Sequence, residues 1–148
     1  MGAIVVLGGC GGIGSVASRS LVAAGEEIVV ADVDVDRAQA LATELGARAI
    51  AVDASSQESL TSAMTGADVV LNCVGPFYRF GPPILAAAIA AGVDYVDVCD
   101  DLAPTRVMLA MDDAARAAAV TALIGMGNSP GIANVFVRLC ADQLLDEV

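Results

Sequence analysis

The chain has 148 residues, which is enough for one domain with a buried core. Its net charge of −11 argues against binding to nucleic acid or to an anionic membrane surface, because basic side chains hold both. The sequence contains no histidine and no lysine, which excludes Ser-His-Asp and Cys-His nucleophiles, lysine Schiff bases and histidine-based zinc catalysis.

Apolar β-branched runs alternate along the chain with amphipathic, alanine-rich runs, a pattern that predicts strands alternating with helices. Strands that are apolar on both faces indicate a parallel sheet covered on both sides. We therefore expect an α/β fold of the Rossmann type, a doubly wound parallel sheet with helices on both faces. The predicted strands are 3–8, 27–32, 48–53, 68–75, 94–100 and 121–127, and the predicted helices are 13–25, 36–46, 56–66, 82–92, 104–119 and 129–147.

Five of the seven residues from Gly8 to Gly14 are glycine, and they lie between the first predicted strand and the first predicted helix. The spacing Gly9-x-Gly11-x-x-Gly14 fits the dinucleotide-binding pattern, in which the glycines allow a tight turn, close approach to a diphosphate, and helix–strand contact. Free N–H groups at the start of the helix suit an anion. A merely flexible loop is the other interpretation of the glycines.

Acidic residues end the second and third predicted strands. Asp32 lies where a carboxylate accepts hydrogen bonds from the adenosine ribose, and it would repel a 2′-phosphate, so we expect NAD rather than NADP. Arg37 is expected to lie on the helix surface in solvent, although it could turn toward a phosphate. Asp53 is expected near the adenine or, alternatively, as a helix cap. The expected cofactor contacts here are Asp32, Val33, Asp53 and Ala54.

The later strand ends face the same edge of the predicted sheet. Cys73, Val74 and Gly75 are expected beside the nicotinamide ribose, or else they form a simple corner. Asp97 and Asp100 could hold a substrate amine or transfer a proton, or they could cap the next helix. The turn at 125–134 could meet the nicotinamide or a substrate carboxylate, or merely start a helix, with Ser129 as its N-cap.

The sequence carries fewer signals for the cellular location, the metal content and the partners of the protein. No signal peptide precedes the first apolar run, and no run reaches the roughly 18 residues of a membrane span, so we expect a cytoplasmic protein. The four cysteines have no metal-site spacing and are expected to be free thiols, with no metal. The apolar fraction of 57% exceeds the roughly 45–50% of ordinary domains. Either an alanine-rich core or a face for a partner, such as another domain or a second copy, would explain it.

Three stretches together resemble the saccharopine dehydrogenase-like oxidoreductases: "VLGGCGGIGSVASRSLVAAGE", "VLNCVGPFYRFGPPILAAAIAAGVDYVDVCDD" and "GMGNSPGIANV". The resemblance implies hydride transfer, linked to NAD(P), at a carbon–nitrogen bond of an amino-acid-derived amine or imine. It places cofactor contacts at Gly9, Gly11, Gly12, Ile13, Gly14, Asp32, Cys73, Val74 and Gly75, and it suggests a catalytic role for Asp97 or Asp100.

The resemblance also implies a second α/β domain, entered after 129–134, that supplies most substrate contacts. Residues 1–148 would then be the dinucleotide-binding domain alone, inactive or nearly so by itself, with apolar surface near 76–83 and 129–145. The alternative is a stand-alone, non-catalytic NAD-sensing module with a polar surface. A short-chain reductase is excluded because that class uses a Tyr-x-x-x-Lys pair, and this sequence contains no lysine.

Overall fold

A computed structural model describes residues 2–145, which form a six-stranded, entirely parallel sheet in the order β3-β2-β1-β4-β5-β6. The strands are β1 Ala3–Leu7, β2 Ile28–Asp32, β3 Arg48–Ala51, β4 Ala67–Asn72, β5 Asp94–Asp97 and β6 Ala122–Leu123. The strand order reverses between β1 and β4, which opens a crevice at their carboxyl ends. The predicted doubly wound sheet is confirmed.

Helices cover both faces of the sheet. They are α1 Gly12–Ala23, α2 Val35–Leu45, α3 Gln57–Met64, α4 Phe77–Ala91, α5 Leu102–Leu109, α6 Asp112–Ala117 and α7 Ile132–Gln143. Alternate residues of β1 enter two separate cores: Val6 packs with residues of α2, whereas Val5 and Leu7 pack with residues of α3 and α4. The period of two in a strand produces this division.

Local signals in the sequence account for several helix ends. Gly46 and Gly92 follow α2 and α4 in the left-handed conformation, which glycine adopts without strain. The Ser56 hydroxyl accepts a hydrogen bond from the Ser59 N–H at 3.2 Å, so Ser56 is the N-cap of α3.

Three of the predicted helices differ from the structure by more than one or two residues at an end. Helix α4 begins at Phe77 rather than at residue 82, and Pro82 and Pro83 lie inside it. The carbonyl groups that would accept bonds from these prolines belong to Tyr78 and Arg79, which are exposed to water. The prolines therefore do not prevent a helical turn before them.

The other two differences lie nearer the C-terminus. The predicted helix 104–119 is divided at Ala110 into α5 and α6, and each of these helices buries a residue, Met108 and Ala115. Helix α7 begins after Gly131, not at Ser129, because Gly131 has a φ of 114° that no helix allows. The helix ends at Gln143, earlier than the predicted end at 147, and residue 147 itself lies outside the described residues.

Within residues 2–145, no helix combines the length and the apolar character that crossing a bilayer requires.

Gly14 offers a direct test of the contact between α1 and the loop before it. A Cβ atom at Gly14 would overlap the Gly8 carbonyl oxygen, whereas a Cβ at Gly12 would have no heavy atom within 4 Å among the described residues. Gly14→Ala should lower the free energy of unfolding by about 2 kcal/mol. Gly12→Ala, its matched control, should leave it unchanged or raise it by about 0.5 kcal/mol. Urea unfolding measures both, and equal effects would contradict the contact.

Three groups with raised pKa values, Cys10, Cys73 and Tyr95, predict how stability depends on pH. Burial first, and then the hydrogen bond and charge of Asp32, raise the pKa of Cys10 from 9.0 to about 11. Burial and the charge of Asp97 raise the pKa of Cys73 from 9.0 to about 11, and they raise the pKa of the Tyr95 phenol as well. Between about pH 9 and pH 11 the unfolded chain loses protons that the folded chain retains, so stability should fall as the pH rises through this interval.

Urea unfolding at a series of pH values from about 8 to about 11 measures this decline. In Cys73→Ala the decline between about pH 9 and pH 10 should be smaller, because one of the two thiols with a raised pKa is removed while Cys10 and Tyr95 remain. The same decline in the variant and in the unaltered chain would contradict the role of Cys73.

Candidate functional site

The glycine loop, residues 8–14, connects the end of β1 to the start of α1. Gly8 has a φ of 70°, and its carbonyl oxygen accepts a hydrogen bond from the Gly11 N–H at 3.0 Å. A Cβ at Gly9 would come within 2.8 Å of the Val6 carbonyl oxygen and 2.9 Å of Val30 Cγ1. Gly8 was missed as a loop determinant, although its place directly after an apolar strand was a usable signal.

The first turn of α1 is open to an anion. Its N–H groups, on Gly12, Ile13 and Gly14, have no carbonyl four residues earlier within the helix. The N-cap, Gly11, has no side chain to occupy them, and no acidic residue lies in this turn. The Ile13 side chain is exposed. The helix dipole and these donors together favour a phosphate group at this point.

Asp32 ends β2 beside the glycine loop. Its carboxylate accepts hydrogen bonds from the backbone N–H groups of Cys10 and Asp34, both at 3.2 Å. Burial acts to raise the pKa of Asp32, but the Cys10 thiol and the N–H groups of Asp34, Cys10 and Val33 outweigh it and lower the pKa below its usual value. Asp32 is therefore a fixed carboxylate at neutral pH, half-exposed and able to accept further hydrogen bonds.

Arg37 is exposed on α2, as expected, but it also contacts the glycine loop. Its guanidinium donates a hydrogen bond of 2.6 Å to the Cys10 carbonyl oxygen, so the side chain lies against the glycine loop. Cys10 links the two groups, because its N–H faces Asp32 and its carbonyl faces Arg37. Burial and the neighbouring Asp32 raise the pKa of the Cys10 thiol to about 11, so it stays protonated.

A cavity of about 300 Å³ lies beside the loop, at the carboxyl ends of β1 to β4. Six of the predicted cofactor residues meet in its wall: Asp32, Val33, Asp53, Ala54, Val74 and Gly75. The remaining members of the wall are Leu7, Gly8, Val52, Ser55, Arg79 and Phe80. The other predicted cofactor residues, Gly9, Gly11, Gly12, Ile13, Gly14 and Cys73, lie outside this wall, on the glycine loop or behind the turn after β4.

Arg79 and Phe80 were missed because the sequence predicted a loop where the first turn of α4 lies. The Arg79 guanidinium carbon stands 4.8 Å from the centre of the Phe80 ring. Across the cavity, the Asp53 carboxylate accepts bonds from the Ser55 hydroxyl at 2.6 Å and the Ser55 N–H at 2.8 Å. The hydrogen bond from the Ser55 hydroxyl lowers the pKa of Asp53 most. The bond from the Ser55 N–H and the charge of Arg79 lower this pKa further.

The two candidate catalytic carboxylates have different surroundings. Asp97 has no exposed surface, and its oxygens accept hydrogen bonds from Tyr95, Cys99 and Gly125. It therefore does not face the crevice. Asp100 is exposed in the loop before α5. Neither residue caps that helix, since Asp101 occupies the N-cap position.

Comparisons with known proteins show the family and the fold of this chain. The family model described as the saccharopine dehydrogenase NADP binding domain matches residues 4–123. Trans-acting enoyl reductases of Mycobacterium bovis and Mycobacterium tuberculosis are 34% identical to this chain over 106 residues, which is 67% of this chain and 25% of each relative. The chain thus spans about a quarter of the length of these curated relatives.

Solved structures show the same fold. Saccharopine dehydrogenase (L-Glu forming) from Saccharomyces cerevisiae superposes with a TM-score of 0.84 and 24% identity, over 97% of this chain and 31% of that one. Triphenylmethane reductase of a Citrobacter species, complexed with NADP(H), gives a TM-score of 0.65 and 22% identity, over 82% and 48% of the two chains.

The description of the matched family names NADP, so it does not support the preference for NAD that Asp32 predicted. The match covers the sheet, the glycine loop and the cavity wall. This chain belongs to the family of saccharopine dehydrogenase NADP-binding domains.

Proposed function

We propose that this domain binds a nicotinamide dinucleotide across the crevice between β1 and β4, as the cofactor-binding part of a reductase. The observation that carries the proposal is the 300 Å³ cavity that joins the glycine loop to Asp32, Asp53 and Gly75. Its size and mixed apolar and polar wall suit the adenosine half of the cofactor. The diphosphate would lie on the N-terminus of α1, where the backbone is uncovered by side chains.

Different residues of the cavity wall would contact different parts of the cofactor. Val33, Val52 and Ala54 offer apolar contact to a base, and Asp32 offers acceptors to ribose hydroxyls. The turn at Val74 and Gly75 would support the nicotinamide ribose. A bound nicotinamide ring supplies or receives a hydride, and the domain itself contributes position and orientation.

The choice between NADH and NADPH depends on two opposite charges beside Cys10. Asp32 disfavours a 2′-phosphate, whereas the guanidinium of Arg37 provides a cation on the same loop. Arg37 has no carboxylate partner among the ion pairs of the described residues. Together with the family description, this favours NADPH over the NAD expected from Asp32 alone.

We favour an enoyl carbon–carbon double bond as the hydride acceptor. The enoyl reductases share 34% of aligned residues with this chain, whereas saccharopine dehydrogenase, at 24%, supports the fold alone. The carbon–nitrogen bond of an amino-acid-derived substrate is the second candidate, and the name of the matched family favours it.

We also propose that a further domain completes the active site. All residues of α7 are at least partly exposed, and the large apolar ones include Val135, Phe136 and Val137, which are at least 60% exposed. Such a surface is unusual for a self-contained module and typical of a contact face. This supports a domain of a larger enzyme over a stand-alone NAD sensor.

Titration of NADPH and NADH fluorescence tests the cofactor proposal. NADPH should bind about tenfold more tightly than NADH, since an arginine–phosphate bond contributes 1.5–3 kcal/mol. Arg37→Ala should remove most of this preference and change NADH affinity less than about twofold. Asp32→Ala should weaken NADH about tenfold through the lost ribose bonds.

Arg48→Ala is the matched control, because it removes one arginine at the amino end of β3, on the opposite edge of the sheet. It should change neither affinity by more than about twofold. Tighter binding of NADH than of NADPH would contradict the role of Arg37, and binding of neither would contradict the dinucleotide site.

Turnover by this chain alone tests the need for a further domain. With NADPH and either a 2-enoyl thioester or an amino-acid-derived imine, we expect no NADPH oxidation above the buffer rate, since positioning and water exclusion need a closed cleft. Loss of the reduced-nicotinamide absorbance measures it, with a full-length member of the family as the positive control. Steady turnover by the chain alone would overturn the proposal.

A further inference from the structure

A continuous chain of hydrogen bonds connects three strand ends beneath the crevice. The Asp97 carboxyl group accepts from the Gly125 N–H at 2.7 Å and from the Tyr95 hydroxyl at 2.9 Å. The Tyr95 oxygen in turn accepts from Asn72 Nδ2 at 3.0 Å, and Asn72 Oδ1 accepts from the Val74 N–H at 2.9 Å. The chain runs from the turn after β6 to the turn after β4.

Each end of this chain holds a backbone segment rather than a side chain. Asp97 binds two consecutive N–H groups after β6, since its backbone carbonyl accepts from the Met126 N–H at 2.8 Å. At the other end, Asn72 binds the N–H of Val74, which lies in the cavity wall beside Gly75. The relative position of the two turns therefore depends on three side chains.

The three side chains are fully buried, and that burial carries a cost. Asn72, Tyr95 and Asp97 have no exposed surface, and none of the four ion pairs among residues 2–145 includes Asp97. A buried carboxyl group is unfavourable unless hydrogen bonds satisfy it, and apolar residues of similar volume are often at least as stable. A fully satisfied buried network, however, restricts the chain to one arrangement.

The direction of the bonds makes Tyr95 the central link. Burial, reinforced by the charge of Asp97, raises the pKa of the Tyr95 phenol, so the hydroxyl remains a donor to Asp97 at every physiological pH. The Tyr95 oxygen therefore uses a lone pair to accept the hydrogen bond from Asn72 Nδ2. Removal of this single oxygen would divide the chain of hydrogen bonds into two unconnected halves.

We propose that Asn72, Tyr95 and Asp97 form a positioning network that couples the turn after β4 to the turn after β6 and so shapes the nicotinamide end of the crevice. The adenosine end, at β2 and β3, does not depend on the network. Asp97 is then a positioning residue rather than an acid or base that touches the substrate. The part of the inference that concerns nicotinamide rests on the proposed dinucleotide function.

Amide hydrogen exchange measured by NMR tests the coupling without any ligand. In Tyr95→Phe, exchange of the Val74 and Gly125 amides should accelerate together by about tenfold or more, because both lose the shared support. Amides of Val30 and Ala31 in β2 should change less than about twofold. Tyr78→Phe is the matched control, since Tyr78 is the only other tyrosine and is 70% exposed.

Two ligands separate positioning from general loss of stability. Tyr95→Phe should weaken NADPH about tenfold and adenosine 2′,5′-bisphosphate, which lacks the nicotinamide half, less than about twofold. Asp97→Asn, with exposed Asp113→Asn as its control, should give the same pattern and serves if Tyr95→Phe is poorly folded. Thermal unfolding checks that each variant is folded at the temperature of the titration.

Equal weakening of both ligands, or faster exchange at Gly125 with Val74 unchanged, would overturn the network as a positioning device. Failure of the unaltered chain to bind either nucleotide would contradict the proposed function and, with it, the nicotinamide part of this inference. The exchange measurement would still decide whether the two turns are coupled.

Discussion

The contact between Gly14 and the carbonyl group of Gly8 determines where helix α1 lies. Because neither residue has a side chain, the first turn of the helix starts directly on the backbone that leaves β1. The helix N-terminus then opens toward the crevice between β1 and β4, where the strand order reverses. A single methyl group at Gly14 would displace the helix, and with it the row of N–H groups that suits a phosphate.

The same loop also holds two opposite charges at the proposed ribose position. Cys10 donates its N–H to Asp32 and offers its carbonyl to Arg37, so a carboxylate and a guanidinium lie on one short segment of backbone. The two charges favour different cofactors, since one accepts ribose hydroxyls and the other attracts a phosphate. The proposed preference for NADPH therefore rests on both residues rather than on Asp32 alone.

Two parts of the molecule, one buried and polar and the other exposed and apolar, lie near the end of the crevice formed by β4, β5 and β6. Beneath it, Asn72, Tyr95 and Asp97 form a dry and fully hydrogen-bonded cluster, and no buried side-chain nitrogen or oxygen within residues 2–145 lacks a partner. Beyond it, α7 exposes large apolar side chains. The first arrangement restrains the strand ends, and the second is a surface suited to contact with more protein.

Sequence periodicity by itself determined the order of strands and helices, the parallel sheet and the glycine loop, because burial on both faces leaves near-continuous apolar runs. It also identified Asp32, Asp53 and Val74, since residues at the carboxyl ends of parallel strands must meet at one edge. Tertiary structure alone decided the early start of α4, which brings Arg79 to the cavity, because the carbonyl groups that Pro82 and Pro83 leave without a donor belong to exposed residues. It also decided that Asp97 is buried. Alternation placed Tyr95, Asp97 and Cys99 on one face of a strand. Only the tertiary structure supplies the donors that allow a carboxyl group to remain there, which are the Tyr95 hydroxyl and the Gly125 N–H in the turn after β6.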